Sequence, residues 1–168
     1  MDFQISPRIE DFRARIAAFV EEELIPLESR EDSYDDHENI RLDLLDRMRE
    51  KARAQGLWCL QLKQETGGQG LGKMGMAVCY EAMNRSIFRP CVFSSAAPDD
   101  GNMMVLEQVG TDYQKERWLQ PIVQGNVRSA FSMTEPHPGG GSDPSMIRTR
   151  AEKHGDVYQI YGHKWFIT

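Results

Sequence analysis

No stretch of this 168-residue chain approaches the roughly 18 consecutive apolar residues of a membrane-crossing helix, so no such span is expected. Lysine and arginine never gather into a block, and the formal net charge is −6. Both features argue against nucleic acid, whose phosphates call for a basic face. Cys59, Cys79 and Cys91 form no C-x-x-C pair, and an odd number of scattered thiols reads as reduced, buried small hydrophobes. His37, His137, His154 and His163 lack the i,i+4 pairing of a helical metal site, so no metal is expected. The N-terminus has Asp2 and no apolar signal-peptide core, which favours the cytoplasm. Internal repeats and low-complexity segments are also missing. What remains, 40% hydrophobic and 27% charged residues, is ordinary for a globular protein. The length suits one domain, or one domain plus part of another.

Helical spacing dominates the first three quarters of the chain. Ser6 caps and Pro7 opens a first helix carrying Ile9, Phe12, Ile16, Phe19 and Val20, which Pro26 is expected to end. The acidic stretch from Glu21 to Glu38 reads as a solvated helix end and linker. A second helix places Leu42, Leu45, Met48 and Ala52 on one face and stops at Gly56. A third uses Met76, Tyr80, Met83 and Ile87; a fourth, from Asp99-Asp100, uses Met103, Leu106 and Val109 up to Gly110. Thr111-Asp112-Tyr113-Gln114 is a capping-box sequence that starts a fifth, with Pro121 expected to break or bend it.

Beyond Gly125 the pattern changes. Segments 127–134, 147–153, 157–161 and 165–168 are short and rich in β-branched and aromatic residues, and His154-Gly155-Asp156 suits a hairpin turn. The predicted class is α+β: an all-α helical domain over 1–125, then the first strands of an incomplete antiparallel β domain over 126–168.

Two glycine-rich stretches carry opposite meanings. Gly70-Leu71-Gly72-Lys73-Met74-Gly75 matches G-x-G-x-x-G, but dinucleotide binding requires its first glycine to leave a strand within a βαβ unit. Lys63 to Gln69 intervene here, so a loop entering the third helix is the better reading. The run Ala130-Phe131-Ser132-Met133-Thr134-Glu135-Pro136, followed by Gly139-Gly140-Gly141-Ser142-Asp143, is more informative. An extended segment stops at Thr-Glu-Pro, and a glycine loop follows whose backbone N–H groups can approach a phosphate or polyol. By itself such a loop also reads as a surface turn.

Further on stands Gly162-His163-Lys164-Trp165-Phe166-Ile167-Thr168. The pair Thr-Glu-Pro…Gly-Ser-Asp and Gly-x-Lys-x-x-Ile-Thr resembles the two flavin-holding segments of the acyl-CoA dehydrogenases. The glycine loop at 67–72, Ala97-Pro98-Asp99-Asp100-Gly101-Asn102-Met103, and Gly110-Thr111 with Gln114 to Leu119 fall in that family's order. The resemblance implies FAD as cofactor, with Phe131, Met133, Thr134, Gly141, Ser142, Phe166, Ile167 and Thr168 against it. Thr134 would meet the ring edge, Phe166 would pack on the ring, and Thr168 would place a hydroxyl near N5. Ser142 would also lie near the acyl-CoA, while Asp143 and Glu135 would fix the loop. The loop over 136–142 is longer than the family's common version, which leaves the roles of Gly139 and Gly140 open.

The implied reaction oxidises an acyl-CoA to a trans-2-enoyl-CoA, with an electron-transfer flavoprotein as acceptor and a homo-oligomer as the working form. The family's chains continue past the point matching Thr168 into the region that carries the catalytic base. The chain is therefore expected to be a front half, inactive alone, and no catalytic residue is nominated. The competing reading is a non-enzymatic helical interaction module that keeps the fold without cofactor.

Overall fold

The computed structural model describes residues 4–167. They are mostly helical, and the one sheet among them is a two-stranded antiparallel hairpin near the C-terminus. Backbone contacts divide the chain into two compact units, 1–128 and 129–168.

In the first unit, the Ser6 hydroxyl accepts the Ile9 N–H at 3.4 Å and Pro7 sits in the first turn of the Pro7–Phe19 helix. Phe12, Ile16 and Phe19 are buried, and the helix packs on a second one, Gly72–Met83. Gly75 permits that approach: a Cβ there would stand 2.8 Å from Leu71 Cβ and 3.4 Å from Ile9 Cγ1. The Leu42–Ala54 helix buries Leu44, Leu45, Met48 and Ala52 into the same core.

Pro26 does not end the first helix. A π-helical turn over Val20–Leu24 leads directly into Ile25–Glu28, with the Ile25 N–H bonded to the Val20 carbonyl five residues back. Within a regular α-helix, a proline ring clashes with the carbonyl four residues earlier and supplies no donor. The widened turn puts Pro26 in the opening turn of the next segment, where no donor is needed. Pro121 is accommodated in the same way. Lys115–Leu119 is a π-turn closed by the Gln120 N–H on the Lys115 carbonyl, ahead of Gln120–Val123.

Helix ends follow local chemistry. Gly56 has φ +66°, with the Leu57 N–H on the Ala52 carbonyl and the Gly56 N–H on that of Arg53, a Schellman stop. Thr111 and Gln114 form both halves of the expected capping box. Three expected core residues are exposed instead: Leu42, Ile87 and Val109. Leu42 and Val109 are terminal residues of their helices, and Ile87 lies past the end at Met83. Helical periodicity does not guarantee burial in the end turns, and at Ile87 it runs past the helix itself.

A second cluster joins Trp58, Cys59, Leu62, Met103, Leu119, Ile122 and Val123. The Trp58 indole N–H donates to the Val123 carbonyl at 2.7 Å, and the Arg53 guanidinium lies 4.0 Å from the Trp58 ring centroid. All three cysteines are free; burial pushes the Cys59 and Cys79 thiols up to about 11, which leaves them inert packing groups.

The glycine loop before the Gly72–Met83 helix follows a 3₁₀ turn, Gln64–Thr66, and no strand, so the geometry for dinucleotide phosphates is missing. Its glycines serve the backbone. A Cβ on Gly68 would fall 2.3 Å from the Leu62 carbonyl oxygen and 2.4 Å from that of Cys59.

In the second unit, β1 (Arg150–His154) pairs with β2 (Val157–Tyr161), with His154 opposite Val157. Gly155 has φ +61° while Asp156 does not have positive φ, the type II′ turn that suits a two-residue hairpin. The other expected strands are corrected. Residues 127–134 form no ladder: the Met133 N–H turns back to the Phe131 carbonyl at 3.1 Å. Residues 147–149 precede β1, after a 3₁₀ turn at Pro144–Met146. Residues 165–167 form no strand, and Thr168 lies outside the described residues. A strand exists through its partner, and here a single-point contact, the Trp165 N–H on the Thr134 carbonyl at 3.3 Å, joins two of these segments without a ladder.

The loop glycines give a graded test. Gly68→Ala meets immovable backbone and should cost about 2 kcal/mol or more. Gly70→Ala, with φ +61° and open space around it, should cost only about 1 kcal/mol. Urea denaturation of both variants checks the order; equal losses would refute the packing explanation.

Candidate functional site

The second unit is organised around one carboxylate. Glu135 is buried, at the end of the extended segment. Its Oε2 accepts the Arg148 N–H at 2.7 Å. Its Oε1 accepts the Thr149 N–H at 2.9 Å and the Thr149 hydroxyl at 2.6 Å, and pairs with Lys164 Nζ at 2.9 Å. Lys164 also donates to the Met133 carbonyl at 2.9 Å. The Glu135 N–H bonds the Gly141 carbonyl at 3.1 Å, closing the glycine loop. The glycine loop, residues 148–149 and Lys164 therefore meet the extended segment at one residue, the loop through its main chain and the others through its side chain.

The Thr149 hydroxyl first, then the Arg148 N–H and Lys164, hold the Glu135 carboxyl down at about 2, well below its ordinary 4.5. All of these partners favour the ionised form, and they outweigh its desolvation. Glu135 is thus a fixed anion, unsuited to moving a proton at neutral pH.

The open question about Gly139 and Gly140 is answered by close approach. A Cβ on Gly139 would stand 2.6 Å from Glu135 Cβ, and one on Gly140 2.3 Å from Met146 Cβ. A Cβ on Gly162 would collide with the Thr149 hydroxyl at 2.1 Å. Gly139 and Gly162 are hemmed in by the Glu135 centre, and Gly140 by the fold of the loop onto Asp143 and Met146. Asp143 fixes the loop as expected: its Oδ1 accepts the Ser145 N–H at 2.9 Å and the Ser145 hydroxyl at 2.7 Å.

The residues expected to face a flavin lie on this frame. Thr134 is half-buried and beside Trp165. Its N–H and hydroxyl have no partner among the described residues, which is the donor set that a ring edge with carbonyl and imine acceptors requires. Met133 and Ile167 are half-buried; Phe131 and Phe166 are exposed. Phe166 has φ +47°, an uncommon conformation for an aromatic residue, of the kind that concentrates at ligand sites. Gly141 has φ +59° and open space about it, and Ser142 is exposed. Thr168 lies outside the described residues. Arg148, Thr149 and Lys164 were missed by the sequence reading as members of the centre. The signal available was Lys164 itself, a charge inside an otherwise apolar motif, facing Glu135 in the other.

The first unit holds a cavity of about 390 Å³ with Met76, Ala77 and Met104 on its apolar side and Gln61, Lys73 and Asp100 on its polar side, where the Tyr80 hydroxyl donates to Asp100 at 3.0 Å. Asp99, the other acid of that motif, is buried and ion-paired with Arg128.

Comparison with known proteins identifies the family. Residues 6–126 match the family described as acyl-CoA dehydrogenase, N-terminal domain. The chain is 36% identical over 172 residues to acyl-CoA dehydrogenase family member 10 of Mus musculus, covering 98% of this chain and 16% of that protein. A solved structure from Mycobacterium abscessus, assigned as an acyl-CoA dehydrogenase, superposes with a TM-score of 0.85 at 38% identity, covering 99% of this chain and 43% of that one. A glutaryl-CoA dehydrogenase of Mycobacterium smegmatis, solved with FADH2, shares the fold at 21% identity and a TM-score of 0.69, with 97% and 39% covered. This chain belongs to the acyl-CoA dehydrogenase family, whose members are FAD-dependent. It spans less than half the length of these relatives.

The acid behaviour of Glu135 tests its role. Since its folded value lies below the unfolded one, its stabilisation is complete above about pH 4.5 and is lost as pH falls through about 2. Protection of the Arg148 and Thr149 amides, taken relative to the intrinsic exchange rate at each pH, should fall across that window. In Glu135→Gln, protection should be lower already at neutral pH and should change little on acidification. Identical neutral-pH protection in both proteins would show that the carboxylate does not hold this segment.

Proposed function

We propose that this chain supplies the flavin-edge and acyl-binding parts of an enzyme that oxidises an acyl-CoA to a trans-2-enoyl-CoA. The observation that carries the reading is the pair of family motifs locked together through Glu135 and Lys164, with the free donors of Thr134 on the same segment. When bound, FAD supplies the acceptor for the β-hydrogen, which leaves as hydride while the α-proton goes to a base. Thr134 offers its N–H and hydroxyl to the ring edge, and Phe131, Met133, Phe166 and Ile167 supply apolar contact. By the family resemblance Thr168, which lies outside the described residues, would contribute a hydroxyl to the flavin. Gly141 and Ser142 serve the cofactor's ribityl-pyrophosphate portion, with Ser142 also near the thioester's carrier. The Met76, Ala77 and Met104 cavity receives the acyl chain, excluding water from its methylenes. An electron-transfer flavoprotein is the natural reoxidant.

No residue of this chain is assigned as the base: Glu135 is held ionised by its four donors and is committed to structure. The 168-residue protein should therefore bind FAD without dehydrogenating acyl-CoAs. Flavin fluorescence quenching should give an affinity that Thr134→Ala weakens by about tenfold, the loss of one hydrogen bond to a desolvated acceptor. Absence of flavin binding would favour the interaction-module reading. Turnover by the 168-residue protein would show that the base lies within it and that the residue assignments are wrong.

A further inference from the structure

Within the second unit, a pocket of about 350 Å³ is bounded by the 135–139 loop, residues 148–150 and residues 161–163. None of the residues assigned above to flavin lines it. Its charged and titratable walls are Arg148, Arg150, His137, His163, Tyr161 and Glu135. In a protein of net charge −6, this concentration of cationic and N–H-bearing groups runs against the overall balance.

The one acid in the wall does not neutralise the arginines. Both Glu135 oxygens are occupied by Thr149, Lys164 and the Arg148 main chain. The Arg148 guanidinium has no ion-pair or hydrogen-bond partner among the described residues. Its backbone, by contrast, is tied to Glu135 at 2.7 Å, so the side chain springs from a fixed point. Arg150 spends its Nε on Glu152 at 2.8 Å, and its guanidinium lies 4.7 Å from the Tyr161 ring centroid, which limits its freedom. A guanidinium fork with a fixed origin suits the tetrahedral oxygens of phosphate, which accept two parallel N–H bonds. At Gly139 and Gly162 a Cβ would meet Glu135 and Thr149, so these two wall positions carry no side chain.

We propose that this pocket binds a phosphate monoester, with Arg148 as its principal ligand and Arg150 in support. The monoester can be free phosphate or one borne on a nucleotide, such as the 3′-phosphate of coenzyme A.

The test is an amide-resonance titration of the 168-residue protein with inorganic phosphate, coenzyme A and dephospho-coenzyme A, at fixed ionic strength so that general screening is constant. Saturable shifts are expected at Arg148, Thr149, Gly162 and His163. Arg148→Gln should bind inorganic phosphate about tenfold more weakly and Arg150→Gln less severely, while Lys153→Gln on the exposed hairpin should leave binding unchanged. Both arginine variants keep the main-chain bonds that build the pocket. Coenzyme A binding tighter than dephospho-coenzyme A identifies the nucleotide-borne monoester. Equal binding of those two, alongside saturable inorganic phosphate, identifies free phosphate. Linear, unsaturable shifts, or Arg148→Gln and Lys153→Gln behaving alike, would overturn the site. Flavin affinity is read separately, so phosphate binding without flavin binding would remove the functional reading above and leave this site standing.

Discussion

The ionised Glu135 carboxylate is the constraint on which the C-terminal unit depends. The described residues of this unit, 129–167, include one small hairpin whose strands are exposed along their length, and no hydrophobic side chain among them is fully buried. Polar connectivity takes the place of such burial. Buried carboxylates are expensive unless their lone pairs are occupied, and here two main-chain N–H groups, a hydroxyl and an ammonium occupy them. Removal of any one donor leaves the others facing an incompletely satisfied anion, so the segments that carry them are fixed together.

The helical unit solves a different problem. Two prolines fall inside stretches that must remain helical to bury their apolar faces, and each is preceded by a π-turn. Leu24 and Leu119, the last residues of those turns, are almost completely buried. Ending the helix at either proline would turn such side chains away from the core. An inserted residue costs one regular hydrogen-bonded turn, whereas loss of a buried leucine costs about 2–3 kcal/mol. The wider turn is the cheaper arrangement.

This explains where sequence reading succeeded and where it did not. Ser6, Gly56, the Thr111–Gln114 box and the Gly155 turn were legible because caps and turns are set by a few adjacent residues. Pro26 was misread because the rule that proline ends a helix is local, while the burial that keeps this helix going is tertiary. Residues 127–134 and 165–167 have strand composition, yet composition does not supply a partner. The candidate site was legible as two motifs. That Arg148 and Thr149 stand between them was not, because they are joined through a side chain thirteen and fourteen residues distant rather than by any periodic pattern.

Backbone conformation sets what each motif turns inward and what it leaves open. Glu135 turns inward to its donors, while its neighbour Thr134 keeps an N–H and a hydroxyl without protein partners. Across from it, Lys164 turns inward to Glu135 and to the Met133 carbonyl, and Phe166, two residues on, is exposed in a left-handed conformation. In the first motif alternation separates the two groups; in the second, where residues two apart would share a face of an extended strand, the left-handed conformation at Phe166 interrupts the alternation. A flat cofactor needs contacts arriving from separate parts of the chain at fixed spacing. The Glu135–Lys164 pair ties the two motifs together and leaves the Thr134 N–H and hydroxyl without a partner among the described residues.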